Sequence, residues 1–351
     1  MRMLKVGDWI LNLKEDSHPR ELMIELTTVC NYSCPHCFRF SVPGFKAQHM
    51  DFSLFELILE SMDRTRVEKA TFSGWGEPTL HPSFLKIIKQ VKSRGKRIVL
   101  NTNGSSLVDI AEDLVFLEVD EVVISLRSFE EDQGIRRLRE EKIAKGANKP
   151  VVKVLFTVTK DNLAEIPKAA DFVKELGVRE VFFSHYIPYP GGLEDLPLID
   201  DEDIVDIDTL LESFSPKILG AGARFAYPEL SPNFARECPF AANRALFIRC
   251  DGVITPCLYL SRSWKTTIFK RSRDILEFPL GNMAEDDLMD LWRGSYSEMF
   301  FRLCFNHLPS CLECPFKEGC KFTQSSEMDC WGNSPNCAHC PYLHKLALCP
   351  L

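Results

Sequence analysis

Short β-branched segments alternate with amphipathic segments between residues 22 and 185 of this 351-residue chain. Each β-branched segment has the length of a strand, and the segments between them repeat apolar residues at helical spacing. Strands separated by helices are typical of right-handed βαβ units, which form a parallel sheet. The six strand-like segments are residues 22–28, 67–73, 97–101, 120–126, 151–159 and 179–185. We therefore predict an α/β fold, a partial (β/α)6 TIM-like barrel.

Three cysteines directly follow the first strand-like segment. Cys30, Cys34 and Cys37 have the spacing C-x3-C-x2-C, on a stretch that we predict to be an irregular loop. Thiolates at this spacing can bind one metal centre, but three are one fewer than the four that close a structural site. An iron with an open coordination position can bind a cofactor. Catalytic groups of parallel barrels gather at the carboxyl ends of strands, which is where these cysteines fall.

The other cysteines are concentrated at the opposite end of the chain. Of the 14 cysteines none lies between residues 38 and 237, and eleven follow from Cys238 onward. Disulfides are the ordinary explanation in small secreted proteins, but this chain is long and residues 1–8 lack an apolar signal segment. We therefore expect metal ligation and a cytoplasmic location.

Composition and charge exclude two classes of partner. The net charge is −8 and no long basic run occurs, so we expect no nucleic acid as a partner. No apolar run is long enough to span a bilayer, so we expect no membrane association. The pattern predicts a core at residues 1–190, a linker at 191–237 with a helix over Asp203–Phe214, and a small cysteine-rich C-terminal domain at 238–351.

Two further motifs end predicted strands. Gly74-Trp75-Gly76-Glu77 follows the second strand, and glycine allows a backbone to approach a ligand closely. The amide side chains of Asn101 and Asn103 follow the third strand. Amide groups at such a position are suited to binding hydroxyl groups of a ligand.

The cysteine triplet, the Gly-Trp-Gly-Glu-Pro segment and the Thr-Asn-Gly segment, in this order, resemble the motifs of the radical S-adenosylmethionine (SAM) superfamily. The resemblance implies that Cys30, Cys34 and Cys37 are the catalytic centre. They would hold a [4Fe–4S] cluster whose fourth iron binds SAM, and reductive cleavage would give a 5′-deoxyadenosyl radical. The implied SAM-binding residues are Gly74, Trp75, Gly76, Glu77, Asn101, Asn103, Ser125 and Arg136. Arg127 is an alternative to Arg136 for pairing with the SAM carboxylate.

The C-terminal cysteines resemble the SPASM extension of the same superfamily, which holds one or two auxiliary [4Fe–4S] clusters. Gln324 stands where that pattern has a cysteine. The interleaved order of the family implies a first cluster bound by Cys238, Cys257, Cys330 and Cys250. It implies a second cluster bound by Cys311, Cys314, Cys320 and either Cys337 or Cys340. Cys304 and Cys349 are left over, and a zinc site formed by the pairs Cys311/Cys314 and Cys337/Cys340 is the alternative.

The resemblance implies an enzyme that modifies a peptide or protein, or that matures a metalloenzyme. The C-terminal segment from Cys330 to Leu351 is similar to that of radical SAM maturases encoded with tungsten-cofactor oxidoreductases. A ferredoxin- or flavodoxin-type protein is the expected reductant. Two alternatives remain open. One is a maturase that makes thioether or carbon–carbon crosslinks in a ribosomal peptide, and the other is a non-catalytic zinc or iron–sulfur scaffold or electron carrier.

Overall fold

The structure is a computed structural model that describes residues 2–13, 18–192, 207–227, 236–294 and 296–351. Its strands are β1 (Arg2–Val6), β2 (Trp9–Leu13), β3 (Glu21–Ile24), β4 (Lys69–Phe72), β5 (Arg97–Thr102), β6 (Glu121–Leu126), β7 (Val151–Val158), β8 (Glu180–His185), β9 (Arg224–Ala226), β10 (Ala245–Ile248), β11 (Val253–Thr255), β12 (Trp264–Ile268), β13 (Arg271–Ile275) and β14 (Gly281–Asn282). Ten of these strands form one sheet in the order β14-β11-β10-β3-β4-β5-β6-β7-β8-β9. The pairs β1–β2 and β12–β13 form separate antiparallel hairpins.

The six predicted strands correspond to β3 to β8, and each pairs in parallel with the next. The prediction of an α/β partial barrel is therefore confirmed. The sheet is wider than predicted, because β10 adds in parallel to β3 and β9 adds in parallel to β8. These strands have only four and three residues, so their sequences carry too little periodicity to be distinguished from loop segments.

Helices connect the strands of the large sheet, except for the last two, which follow its final strand in the chain. They are α1 (Phe52–Arg64), α2 (Phe84–Ser93), α3 (Leu107–Phe116), α4 (Gln133–Ala144), α5 (Lys168–Leu176), α6 (Ile207–Gly220), α7 (Pro239–Ala242), α8 (Leu288–Arg293) and α9 (Ser297–Cys304). In α2 the buried residues Phe84, Ile87, Ile88 and Val91 follow helical spacing, so one face packs on the sheet. No helix among the described residues is both long enough and apolar enough to cross a membrane.

The predicted division at residues 190 and 237 stays a prediction. The helix expected over 203–214 is observed as α6 from Ile207, and residues 203–206 lie outside the described residues, as do 193–202 and 228–235 of the predicted linker. The C-terminal part does not stand apart from the barrel. Its strand β10 extends the parallel sheet, and β11 and β14 continue the sheet with antiparallel pairing.

Phe247 tests the packing at the junction of the two parts. It is 0% exposed in β10, whereas Phe116 at the end of α3 is 74% exposed. Replacing a buried phenylalanine by alanine removes apolar burial and leaves a cavity, which costs about 3–5 kcal/mol. We expect Phe247→Ala to lower the midpoint of urea unfolding clearly and Phe116→Ala to leave it almost unchanged. Equal midpoints for the two variants would contradict this packing.

Candidate functional site

A large cavity lies at the carboxyl ends of the parallel strands. It contains about 1890 Å³ of space, open solvent included. The residues that line it at strand ends are Ser73, Gly74, Asn101, Ser125 and His185. Two cysteines of the triplet, Cys34 and Cys37, line the same cavity. The topology of a parallel sheet thus brings together residues as far apart in the chain as Cys34 and His185.

The three cysteines occupy the loop between β3 and α1, and a turn brings the second and third together. The backbone N–H of Cys37 donates to the carbonyl oxygen of Cys34 at 3.0 Å. Burial raises the pKa of both thiols. Negative charge on Cys30 raises the pKa of Cys34 further, and negative charge on Cys34 and Cys30 raises that of Cys37. Cys30 lies beside Asn103, whose Nδ2 is 3.8 Å from its Sγ. The three thiols are therefore electrostatic neighbours on one loop.

This donor set fits a cluster better than a single ion. Among the described residues, no group of three or more His, Cys, Asp or Glu side chains is close enough to hold one metal ion. In an iron–sulfur cube each thiolate binds a different iron, so the sulfurs do not have to converge on one point. All three cysteines are free thiols. A closed tetrahedral zinc site would instead need four donors around one ion.

The glycine loop packs directly against the chain that leads into the cysteine loop. A Cβ atom on Gly76 would lie 2.6 Å from the carbonyl oxygen of Val29, so only glycine fits at this position. The backbone N–H of Glu77 donates to that same carbonyl oxygen at 2.8 Å. Val29 immediately precedes Cys30, so the two loops are fixed relative to each other through their backbones.

The Glu77 side chain stabilises the glycine loop from the protein interior and does not line the cavity. Its buried carboxylate accepts hydrogen bonds from Thr102 Oγ1 at 2.7 Å, Asn103 N at 2.6 Å and Thr79 Oγ1 at 2.7 Å. Burial raises the pKa of Glu77, while these hydrogen bonds favour the charged form. The carboxylate thereby ties the glycine loop to the end of β5, and Trp75 is likewise buried rather than facing the cavity.

A segment that the sequence did not point to forms part of the cavity wall. Leu348, Cys349, Pro350 and Leu351 line the cavity, and Asn101 Nδ2 donates to the carbonyl oxygen of Pro350. No local pattern in this segment indicates the contact, because it depends on tertiary folding. Asn101 faces the cavity as predicted, whereas Asn103 instead donates to Asn31 Oδ1 at 2.9 Å.

The prediction that Arg136 binds SAM stays a prediction, and the structure places this residue away from the cavity. Its guanidinium lies on the exposed face of α4, where it forms ion pairs with Asp132 and Glu175, and it does not line the cavity. Arg127 lies closer to the cysteine loop. Its guanidinium is 4.0 Å from the centre of the Tyr32 ring, and its positive charge lowers the pKa of Cys34, opposing the effect of burial.

Four C-terminal cysteines surround a second, smaller cavity of about 420 Å³, and we call them the inner cysteine group. The group consists of Cys238, Cys257, Cys337 and Cys340. Burial raises the pKa of Cys238 to about 12 and that of Cys257 well above its ordinary value. The hydroxyl groups of Tyr259 and Tyr296, two other lining residues, are buried without a hydrogen-bond partner. Four thiols and two unpaired hydroxyls around one space fit a site built for a bound group.

A second set of four C-terminal cysteines lies nearer the surface, and we call it the outer cysteine group. It consists of Cys311, Cys314, Cys320 and Cys330. Burial raises the pKa of Cys311 to about 12, and negative charge on Cys330 and Cys320 raises it as well. Burial also raises the pKa of Cys330, and negative charge on Asp329, Cys320 and Cys314 raises it further. Cys311 is buried whereas Cys330 is exposed, so this group reaches from the interior to solvent.

The interleaved ligand assignment stays a prediction, and the structure groups Cys330, Cys337 and Cys340 differently. Cys330 joins the outer group, and Cys337 and Cys340 join the inner group. The reason is a compact loop centred on buried Asp329, whose carboxylate accepts hydrogen bonds from the backbone N–H groups of Trp331 and Asn333. This loop separates Cys330 from the two cysteines that follow it.

Two other cysteine assignments also stay predictions that these groups do not match. Cys250 lies outside both groups, where its Sγ accepts a hydrogen bond from Gln48 Nε2 at 3.1 Å and its N–H donates to the Glu25 carboxylate. The alternative zinc site would combine two cysteine pairs that lie in different groups.

Models of known families match both parts of the chain. The model of the "Radical SAM superfamily" matches residues 24–191, and that of SPASM, an iron–sulfur cluster-binding domain, matches residues 238–315. The chain is 31% identical over 349 residues to the tungsten-containing aldehyde ferredoxin oxidoreductase cofactor-modifying protein of Pyrococcus furiosus, with 94% of this chain and 97% of that protein covered. It is 26% identical over 307 residues to a probable GTP 3′,8-cyclase of Saccharolobus islandicus, with 79% of this chain and 88% of that protein covered.

Solved structures show the same fold. Streptococcus suis SuiB bound to S-adenosylmethionine has a TM-score of 0.58 at 18% identity, with 87% of this chain and 72% of that chain covered. The structure of anSMEcpe with bound AdoMet has a TM-score of 0.57 at 18% identity, with 86% of this chain and 85% of that chain covered.

Thiol labelling of the iron-free protein tests the two cysteine groups. Cys304 and Cys330 are exposed, whereas the inner cysteine group lies deep in the protein. Alkylation requires access and a thiolate, and burial opposes both. We expect a brief iodoacetamide pulse to label Cys304 and Cys330 first and the inner group last, as read by peptide mass spectrometry. Labelling in urea serves as the control, and uniform labelling of the folded protein would contradict the arrangement.

Proposed function

Because this chain belongs to the radical SAM superfamily, we propose that Cys30, Cys34 and Cys37 bind the [4Fe–4S] cluster at which SAM is cleaved. The chain is a radical SAM enzyme with a SPASM-type iron–sulfur domain. When bound, the cluster supplies the electron that cleaves SAM to methionine and a 5′-deoxyadenosyl radical. The observation that carries the residue assignment is the joint geometry of three neighbouring free thiols and a glycine loop beside one large cavity.

The lining of the cavity supports a site for SAM. Gly74 offers backbone without a side chain, and Asn101 and Ser125 offer polar groups that can bind hydroxyls or an amino group. His185 is 3% exposed, and burial lowers its pKa to about 4, so its ring is neutral at physiological pH. A buried neutral ring adds no charge to this part of the wall and excludes water from it, which limits side reactions of a radical. Arg127, which stacks on Tyr32 of the cysteine loop and pairs with Glu131, is the cation that we propose for the SAM carboxylate.

The inner and outer cysteine groups are proposed to hold one auxiliary [4Fe–4S] cluster each. Each group has four thiols, which is the complete ligand set of a cube. Two observations support a cluster in the inner group. Its four thiols line one space, and the hydroxyls of Tyr259 and Tyr296, which line the same space, have no hydrogen-bond partner. A low-potential carrier of the ferredoxin or flavodoxin type remains the expected reductant, and a reducing cytoplasm the expected compartment.

We propose further that the substrate is a protein or peptide, and specifically a tungsten-cofactor oxidoreductase of the aldehyde ferredoxin type. Identity of 31% over nearly the full length of both chains to a protein named for modifying the cofactor of such an enzyme supports this choice. The similarity of the C-terminal segment from Cys330 onward agrees with it. The likeness to SuiB concerns the fold alone, so it does not favour peptide crosslinking.

The substrate proposal is tested by reconstitution. An aldehyde ferredoxin oxidoreductase-type enzyme, produced in cells that lack this protein, is incubated without oxygen with the purified protein, SAM and dithionite. We expect 5′-deoxyadenosine to form faster in its presence and its aldehyde oxidation activity to rise. If the added enzyme produces neither change although SAM is still cleaved, the substrate proposal is contradicted. The assignment to the enzyme class would not be affected.

Replacing a cysteine of the triplet tests the catalytic centre. We expect Cys34→Ala to abolish formation of 5′-deoxyadenosine, because the cube loses a ligand, and to remove about four irons per chain. The matched control is Cys304→Ala, which removes a thiol outside both groups and should leave cleavage and iron content unchanged. Undiminished cleavage by Cys34→Ala, or colourless zinc-loaded wild type, would contradict the proposal.

The inner cysteine group is tested separately. Cys340→Ala should lower the iron content, because the substitution leaves only three of the four thiolates that would hold the buried cluster. Cys250→Ala should keep the wild-type iron content, because Cys250 lies outside both groups. Iron and sulfide analysis after anaerobic purification reads the difference. The reverse result would restore the interleaved assignment.

A further inference from the structure

A buried carboxylate lies directly beneath the glycine loop. Glu25 follows β3 and is 0% exposed, so its negative charge needs a partner in the interior. Arg262, from the C-terminal part of the chain, is 8% exposed and provides that partner. Its Nη1 donates to Glu25 Oε2 at 3.0 Å and its Nη2 to Oε1 at 2.5 Å, a bidentate arrangement.

The same carboxylate holds the glycine loop. The backbone N–H of Trp75 donates to Glu25 Oε2 at 3.0 Å. A Cβ atom on Gly74 would lie 2.7 Å from Glu25 Cγ, so the loop rests on this side chain without an intervening group. Gly74 also lines the large cavity. The position of the cavity wall at Gly74 therefore depends on where Glu25 is held.

Trp75 provides a second connection between the loop and the C-terminal part. Its ring is 3% exposed, and its Nε1 donates to Ser261 Oγ at 2.9 Å. The ring packs edge-on against Phe38, which follows the cysteine triplet, at 4.5 Å between centroids. The Arg262 guanidinium lies 5.4 Å from the Trp75 ring centroid, within the range of a cation–π contact. The tryptophan between the two glycines thus fills the junction of three segments.

We propose that Arg262 is a positioning residue for SAM, which acts through Glu25 and Trp75 to fix the glycine loop at the cavity. The C-terminal part of the chain then helps to bind SAM at the barrel, apart from any role of its own cysteines. This inference rests on the proposed function, because it takes the glycine loop as part of the SAM site. Removing Arg262 leaves a buried charge unpaired, and the loop must shift to let water or another donor reach Glu25.

The test compares four purified variants with the wild type without oxygen. Arg262→Met removes the ion pair, Arg262→Lys keeps the charge but not the bidentate geometry, and Glu25→Gln/Arg262→Met removes both charges. Lys265→Met is the matched control, because it replaces another cation of the same part of the chain whose pair with Asp274 is exposed. For each, the KM for SAM and kcat are measured from 5′-deoxyadenosine, together with iron content. The EPR spectrum of the reduced protein with and without SAM and the amide hydrogen exchange of Trp75 are also recorded.

We expect Arg262→Met to raise the KM for SAM at least about tenfold, with a change in kcat below about twofold and unchanged iron content. The EPR change on adding SAM should require correspondingly more SAM, and the Trp75 amide should exchange faster. Arg262→Lys should recover part of the affinity, and Lys265→Met should match the wild type.

Two results would overturn the inference. One is a KM for Arg262→Lys and for Arg262→Met within twofold of the wild type. The other is full recovery of SAM affinity in Glu25→Gln/Arg262→Met, which would mean that Arg262 only neutralises a buried charge. The double variant also guards against misfolding of Arg262→Met, because it leaves no unpaired ion. If the wild type itself does not release 5′-deoxyadenosine, the proposed function fails, and the role of Arg262 in SAM binding fails with it. The two failures are therefore distinguished by the wild-type result.

Discussion

The direct backbone contact between the glycine loop and the chain ahead of Cys30 is the constraint on which the site depends. Gly76 has no room for a Cβ atom, and the N–H of Glu77 is bonded to the Val29 carbonyl. Since these atoms belong to the backbone, their spacing changes little with side-chain motion. The Glu77 carboxylate also fixes the position of the end of β5, because it accepts hydrogen bonds from Thr102 and Asn103. The cavity wall is thus set by covalent geometry and buried hydrogen bonds rather than by flexible surface groups.

The continuous sheet explains why the C-terminal half reaches the same place. Pairing of β10 with β3 puts the C-terminal strands beside the strand that leads into the cysteine triplet. Glu25, at the end of β3, then meets Arg262 across this junction, and the segment ending at Leu351 reaches the cavity. The two parts of the chain therefore form the wall of the large cavity together, although their sequences differ sharply in cysteine content.

Residues at strand ends were predictable, because the topology of parallel strands fixes where they meet. The six strands, the cysteine triplet and the cavity positions of Gly74, Asn101 and Ser125 follow from that rule. Arg136 was not predictable in the same way, because a cation on a helix faces whatever acids the neighbouring helix supplies, here Glu175. The two cysteine groups could not be read from the sequence, because the turn around Asp329 that separates Cys330 from Cys337 is formed by local hydrogen bonds that cysteine spacing does not reveal. The closing segment at 348–351 lacks any local periodicity that would point to the cavity.

The depth of the inner cysteine group bears on how the protein is made. Its thiols come from Cys238 and Cys257 on one side and Cys337 and Cys340 on the other, and they enclose a space lined by Tyr259 and Tyr296. A cluster bound there, as we propose, would have to enter before α9 and the final turns pack around the space. Cluster insertion and completion of folding would then be one coupled event.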